Sequence, residues 1–184
     1  MLFLAAPKIY FPLFSFLFLM AVFFPLLTVY IMYKNKLISS IAIPKRKERL
    51  PVLALVIIYY SMTYYIFRYW NTTLLNLLQP YLSFLFAGLI LLLLLTLITL
   101  KWKISIHAAS IAGLTAGITA LTLIAHPIIN LQQIFLINAL LLTFIGVVSF
   151  SRLYLKAHSM IQILVGISLG FSLVFILVFN QFYI

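Results

Sequence analysis

The run LILLLLLTLITL, from Leu89 to Leu100, decides the fold class of this chain. It contains no charged residue and belongs to an apolar stretch that begins at about residue 79. About 20 such residues, wound as a helix, cross a bilayer core that is about 30 Å thick. A segment this apolar offers water no polar face, so the sequence predicts a membrane-spanning helix over about residues 79–100.

The composition of the whole chain agrees with that local signal. Of 184 residues, 66% are hydrophobic and only 7% are charged, whereas about a quarter of a typical globular chain is charged. The absence of cysteine excludes disulfides and thiol chemistry. Twelve Lys and Arg residues stand against one acid, Glu48. A single carboxylate excludes chemistry based on carboxylate pairs and cation sites built from several carboxylates, so we expect no metal and no other cofactor.

Further apolar segments of similar length follow one another along the chain. Backbone polar groups in lipid must be satisfied within the segment, so each is interpreted as a helix. We predict an all-α integral membrane protein, a bundle of six transmembrane helices forming a single domain over residues 1–184. The predicted helices cover about residues 10–33, 51–70, 79–100, 104–125, 134–150 and 160–182.

The third and fourth predicted helices differ in composition. The fourth contains HAASIAGLTAGITA, in which Ala109, Gly113 and Gly117 are spaced four residues apart. Small residues at that spacing allow two helix backbones to approach closely. We therefore expect the fourth helix inside the bundle and the Leu-rich third helix facing lipid. The second helix is expected to begin at Pro51, since proline is common at the first helical position.

Basic residues are distributed unevenly between the two sides of the membrane. The positive-inside rule predicts that the richer side is cytoplasmic. The charge excess favours an anionic or phosphorylated lipid as partner. Nucleic acid is not expected, because the charges lie in short loops rather than in one continuous stripe. Ten of the twelve follow the first, third and fifth helices, namely Lys34, Lys36, Lys45, Arg46, Lys47, Arg49, Lys101, Lys103, Arg152 and Lys156, and Lys8 and Arg68 lie opposite.

Three polar stretches on the basic side each lie at a helix end. They are KRKERLP (Lys45–Pro51), KWKISIHA (Lys101–Ala108) and SRLYLKAH (Ser151–His158). A helix N-terminus favours an anion, and arginine can bind phosphate oxygens through two hydrogen bonds. One histidine could attack phosphorus while the other protonates the leaving oxygen. These residues suit phosphoryl transfer without a metal, although either histidine alone is more typical of an interfacial packing residue.

These stretches resemble the phosphatidic acid phosphatase type 2 superfamily, and more closely a short membrane branch of it found in Bacteroidetes-like bacteria. The family's last motif is S-R-x5-H-x3-D, and this chain has Ser151, Arg152, His158 and then Gln162 at those positions. This motif is fairly specific. The likeness extends over most of the chain.

The other two motifs of the family are kept less well. The middle motif, P-S-G-H, appears here as Ile104-Ser105-Ile106-His107, which keeps the serine and the histidine. The first motif, K-x6-R-P, is reduced to Arg49, with the proline one place late. The middle motif is weak alone and the first is degenerate.

The resemblance implies a bacterial inner-membrane lipid phosphatase that uses no cofactor. His158 would be the nucleophile that forms a phosphohistidine, and His107 would be the general acid and later the base. The substrate would be a phosphorylated lipid such as phosphatidic acid, phosphatidylglycerol phosphate, or a polyprenyl phosphate or diphosphate. The phosphate would be bound by Arg152, Arg49 and Ser105, with Lys103 assisting.

Two departures from the family pattern leave a second hypothesis open. Gln162 replaces an Asp one helical turn after His158; it can orient the imidazole but supplies no negative charge. Ile106 replaces a Gly that permits close backbone approach to phosphate. The chain could therefore be an inactive member of the fold, serving as a lipid-binding or structural subunit with protein partners in a membrane complex. A transporter has little support, since ionisable residues lie near helix ends rather than at mid-membrane.

Overall fold

The computed structural model of this chain describes residues 14–41, 43, 46–69, 72–124 and 130–182, without the side chains of residues 46 and 72–80. Within these ranges six helices are long and apolar enough to cross a membrane, which confirms the predicted all-helical membrane class. They are α1 (Phe14–Lys34), α2 (Arg46–Tyr69), α3 (Thr72–Lys101), α4 (Ile106–Ile124), α5 (Leu131–Tyr154) and α6 (Met160–Phe179).

Several helix ends differ from the predicted ones. The helix α2 begins at Arg46, so Pro51 lies inside it rather than at its start. The helix α5 continues to Tyr154, so Arg152 lies in its last turn and not in a loop. In both cases hydropathy locates the lipid-exposed part of a helix, whereas the hydrogen-bonded helix extends into its charged end. The predicted ends at residues 10–13, 70 and 125 lie outside the described residues.

Contacts divide the chain between Phe67 and Arg68 into a first and a second compact unit. In the first unit α1 packs against α2. The Thr28 and Tyr59 hydroxyls are 2.9 Å apart, and the rings of Phe24 and Tyr59 are stacked at 6.3 Å. The loop that joins these helices is held to α2 by Glu48, whose carboxylate accepts hydrogen bonds from the Ser39 amide and hydroxyl.

The second unit is built around α4, whose small residues are buried, as predicted. Its most extensive contact is with α6. A Cβ on Gly166 would approach the Ser105 carbonyl, one on Gly170 would approach Ala109, and Gly113 lies against Val174. Contacts therefore advance in the same direction along both helices. The helices α4 and α6 are parallel, and their N-termini lie at the same end of the unit.

The prediction that α3 simply faces lipid is wrong for one of its faces. Leu91 and Leu95 are buried in the core of the second unit, whereas Leu93 and Leu97 are exposed. The buried residues recur every four positions, as expected for one face of a helix. Composition could not reveal this, because leucine serves equally well against lipid and against another helix.

A polar contact joins α4 to α5 within the apolar core. The Thr119 hydroxyl is hydrogen-bonded to the Asn138 side-chain oxygen. The Asn138 amide nitrogen donates to the Ile134 carbonyl at 2.8 Å, so both ends of the amide are satisfied. Such interhelical bonds contribute about 0.6 kcal/mol on average, which fixes orientation more than it adds stability.

We predict that Gly170→Ala destabilises the protein, because the new Cβ would lie 2.1 Å from the Ala109 backbone oxygen. Overpacking against a backbone that cannot rotate away costs about 1–3 kcal/mol. Gly146→Ala is the matched control, since no atom lies within 4 Å of its added Cβ. Alanine there should stabilise α5 by about 0.5–1 kcal/mol. Thermal unfolding in detergent measures both, and equal stability of the two variants would contradict the close α4–α6 contact.

Candidate functional site

The turn between α5 and α6 has a defined backbone hydrogen-bond pattern. The Ala157 amide donates to the Arg152 carbonyl at 3.0 Å, and the Lys156 amide donates to the Leu153 carbonyl at 2.9 Å. These two bonds form a Schellman motif, which ends a helix through a residue in the left-handed conformation. Lys156 is that residue, with a φ of 49°. The motif reverses the chain within a few residues and places His158 directly before α6.

The N-terminus of α6 is closed by a capping box. Ser159 Oγ accepts a hydrogen bond from the Gln162 amide at 3.4 Å, and Gln162 Oε1 accepts one from the Ser159 amide at 3.2 Å. The same Oε1 lies 3.1 Å from His158 Nδ1. Gln162 therefore contacts both the helix cap and the imidazole.

This geometry determines the tautomer of His158. A backbone N–H can only donate, so the Gln162 atom facing the Ser159 amide must be the oxygen. Because that oxygen accepts, the Nδ1 facing it must carry the proton. The lone pair of the neutral ring is then on Nε2.

Ser105 joins the starts of α4 and α6. It is 0% exposed, and its backbone amide donates to the Gln162 carbonyl at 3.3 Å. Its Oγ accepts a bond from the Ala108 amide at 3.4 Å, which caps α4. Ser105 thus lies beneath the site as a capping residue, and its contact with phosphate stays a prediction.

The structure brings most of the remaining predicted residues to this same end. His107 is exposed in the first turn of α4, and Lys103 is half-buried just before that helix. His158 is half-buried before α6, and Arg152 is half-buried in the last turn of α5. Because α4 and α6 are parallel and joined by the Ser105–Gln162 bond, both histidines flank a shared helix N-terminal end.

Two polar atoms on one face of α5 are buried without a partner in the described part of the chain. They are Arg152 Nε and, one turn earlier, Ser149 Oγ. Buried polar atoms normally have a hydrogen-bond partner, so such atoms mark positions where a ligand oxygen or a water is expected. Sequence reasoning missed Ser149, which belongs to no motif. Its spacing of three residues from Arg152 was the available signal.

Arg49, the remaining predicted phosphate ligand, belongs to the first unit. There its Nε donates to the Ile43 carbonyl at 2.9 Å, which helps to fix the loop before α2. Its role in binding phosphate stays a prediction. The bond from Nε is compatible with that role, since the terminal nitrogens of a guanidinium also donate.

The charges at the end of the second unit where α4 and α6 begin favour the binding of an anion. The chain has no acidic residue after Glu48, so the second unit contains no carboxylate side chain. The N-termini of α4 and α6 add partial positive charge. Among the described residues no group of three His, Cys, Asp or Glu side chains could hold a metal ion. The basic residues at this end are Lys101, Lys103, Arg152 and Lys156.

Comparison with known protein families, curated proteins and solved structures finds no match to this chain. The function must therefore be inferred from the residues and their geometry.

Replacing Lys156 by glycine is expected to stabilise the protein. A left-handed conformation costs a residue with a Cβ about 1 kcal/mol, which glycine does not incur. Lys101→Gly is the control, because Lys101 has helical geometry in the last turn of α3 and glycine there should cost about 1 kcal/mol. The unfolding temperature should rise for Lys156→Gly and fall for Lys101→Gly. A fall for both would contradict the assigned turn.

Proposed function

We propose that this chain is a membrane lipid phosphatase that hydrolyses a phosphomonoester or diphosphate of a lipid through a phosphohistidine. The observation that carries the proposal is the contact between His158 Nδ1 and Gln162 Oε1, which leaves the lone pair on Nε2. This nitrogen belongs to an electropositive end of the second unit, where Arg152 has a buried N–H without a partner among the described residues.

In the first step, His158 Nε2 attacks phosphorus. An N–P bond forms while the bond from phosphorus to the lipid oxygen breaks, and His107 donates a proton to that oxygen. From a phosphomonoester the lipid alcohol leaves, and from a diphosphate the lipid monophosphate leaves. The phosphorylated imidazole keeps a proton on Nδ1. Gln162 accepts a hydrogen bond from that proton and so holds the ring in place through the step.

In the second step, a water molecule attacks the phosphohistidine. His107, now neutral, removes a proton from the water as the new O–P bond forms. The N–P bond breaks, its electron pair returns to Nε2, and inorganic phosphate is released. The proposed phosphate ligands stabilise the charge that builds on the oxygens in both steps. In the second unit they are Arg152, Lys103 and Ser105.

The position of the site at helix ends supports a lipid substrate. The spans α4 and α6 begin at Ile106 and Met160, so the two histidines lie at the edge of the apolar region. A lipid phosphate lies at the same depth as these helix ends. The bias of basic residues places this end on the cytoplasmic side of a bacterial inner membrane in our proposal.

A second candidate is a catalytically inactive, lipid-binding or structural subunit of a membrane complex. Two observations favour it: Ser105 is 0% exposed, and the neutral Gln162 occupies the place of the family's carboxylate. An anion would still be attracted to the helix N-termini and to Arg152. Such a subunit would retain its cellular role when both histidines are replaced, and it would co-purify with a protein partner in mild detergent.

The roles of the two histidines can be distinguished by changing the leaving group of the substrate. His158→Ala is expected to abolish phosphate release from every substrate, since the nucleophile is lost. In the first turnover, His107→Ala should lower the rate of alcohol release about 100-fold for a lipid alkyl phosphate, yet change the rate of phenol release little for a lipid-tailed aryl phosphate, whose phenolate leaves without a proton. Phosphate release, and alcohol or phenol release in the first turnover, are measured in detergent with a metal chelator. Gln132→Ala, at the opposite end of α5, is the control.

Equal losses on both substrates would show that His107 is not a general acid. Undiminished activity of the folded His158→Ala protein would exclude the phosphohistidine. If the folded wild-type protein released no phosphate from any lipid phosphate, the binding or structural subunit would be favoured.

The charge of the side chain at position 162 is expected to change the reaction rate. Gln162→Glu keeps the capping box and places a carboxylate beside the imidazole, which stabilises the cationic ring formed on attack. Hydrogen bonds to charged groups exceed neutral ones by about 1–1.5 kcal/mol, so the rate should rise about tenfold. Gln162→Met, of similar size but without an acceptor, should lower the rate. A rate that is the same in all three proteins would contradict the orienting role.

A further inference from the structure

A cavity in the first unit opens at the C-terminal end of α1. Its volume is about 370 Å³, and Tyr33, Lys34, Lys36, Ile38 and Ser39 line it. Small-molecule sites begin at about 300 Å³, so the cavity can hold a small polar group. None of these five residues is among those proposed above for the phosphatase site.

The lysines of this cavity are not required to cap α1. The Asn35, Lys36 and Leu37 amides donate to the carbonyls of Ile31, Tyr33 and Met32 at 2.9, 3.0 and 2.9 Å. Backbone amides thus satisfy the end of the helix through a second Schellman motif, in which Lys36 has a φ of 58°. Lysines at a helix C-terminus often hydrogen-bond to the last carbonyls of the helix. Here three of those carbonyls already accept hydrogen bonds from backbone amides.

The part of the lining formed by Ile38 and Ser39 is held in place. Ile38 is 2% exposed, which fixes the loop by burial. The Ser39 amide and hydroxyl donate to Glu48 Oε2 at 2.9 and 2.8 Å. Glu48 is the one acid in the chain. The cavity therefore has two lysines in its lining, while the only carboxylate side chain of the protein is hydrogen-bonded to Ser39.

The location of the cavity points to a lipid. Lys34 is the last residue of the first membrane span, so the cavity lies at the depth of lipid headgroups. Tyr33 belongs to a residue type enriched at that interface, and basic residues there attract anionic lipids. A phosphodiester headgroup in the cavity would lie beside Lys34 and Lys36, with its acyl chains in the bilayer beside α1.

We propose that this cavity is a binding site for the phosphodiester headgroup of an anionic phospholipid, separate from the phosphatase site and not hydrolysed. The proposal does not depend on phosphatase activity, because a phosphodiester differs from the phosphomonoester or diphosphate proposed as substrate.

Native mass spectrometry of the full chain in detergent tests the proposal, with phosphatidylglycerol and phosphatidylcholine of the same acyl chains as probes. Wild-type protein should retain phosphatidylglycerol preferentially. The Lys34→Gln, Lys36→Gln double variant should bind it about tenfold more weakly, with binding of phosphatidylcholine unchanged. The Lys34→Arg, Lys36→Arg variant should keep the preference, which shows that the loop has kept its structure.

A matched control removes the same charge elsewhere. The Lys47→Gln, Lys101→Gln variant changes exposed residues outside the cavity and should keep the preference. Equal weakening in both double Gln variants would overturn the proposal in favour of general charge attraction. The preference should also survive His158→Ala, and its loss there would assign the lipid to the histidine site instead.

Inorganic phosphate and glycerol phosphate distinguish a lipid from a soluble ligand. Neither should displace phosphatidylglycerol at concentrations comparable to that of the lipid, because the acyl chains of the lipid also contribute to binding. Displacement by either anion at such concentrations would overturn the lipid assignment and identify the cavity as a site for a soluble phosphate.

Discussion

The second unit depends on direct backbone contact between α4 and α6. Gly170 lies against the Ala109 carbonyl so closely that a Cβ would be 2.1 Å from its oxygen. In lipid the hydrophobic effect contributes little to helix association, so packing of this kind takes its place. Ala109 and Gly113 of α4 are buried at this contact, whereas Gly117 lies against Phe84 of α3. The parallel arrangement of the two helices follows from it, and that arrangement brings their N-termini together.

The candidate site depends on the same contact. The Ser105–Gln162 backbone bond joins the two N-termini. Gln162 is also part of the capping box, and its side chain contacts the His158 imidazole. Residues that terminate helices thus also position the residues proposed for chemistry. This sharing explains how a chain with few polar side chains can build a polar site: each capping interaction serves the fold and orients a neighbouring group.

Much of the fold could be predicted from hydropathy, because a bilayer demands long apolar helices and permits few alternatives. The ends of α2 and α5 could not, since their charged turns remain helical beyond the apolar segment. The buried face of α3 was also missed, because leucine packs against lipid and protein alike. Within the site, sequence spacing indicated that His158 and Gln162 would meet, as the structure has them. The burial of Ser105 and of the Ser149 hydroxyl depends on neighbouring helices and left no mark in any motif.

The sequence by itself determined that this chain is an integral membrane protein of transmembrane helices, with basic residues concentrated at helix ends and almost no acids. These properties depend on which residue types occur and where they lie along the chain, so they can be predicted without knowing any contact. Only the tertiary structure decided which helices touch, that α4 and α6 are parallel, and which nitrogen of His158 carries the proton. Those features depend on backbone approach within a few ångströms, where one carbonyl or one glycine changes the outcome, and composition does not record such distances.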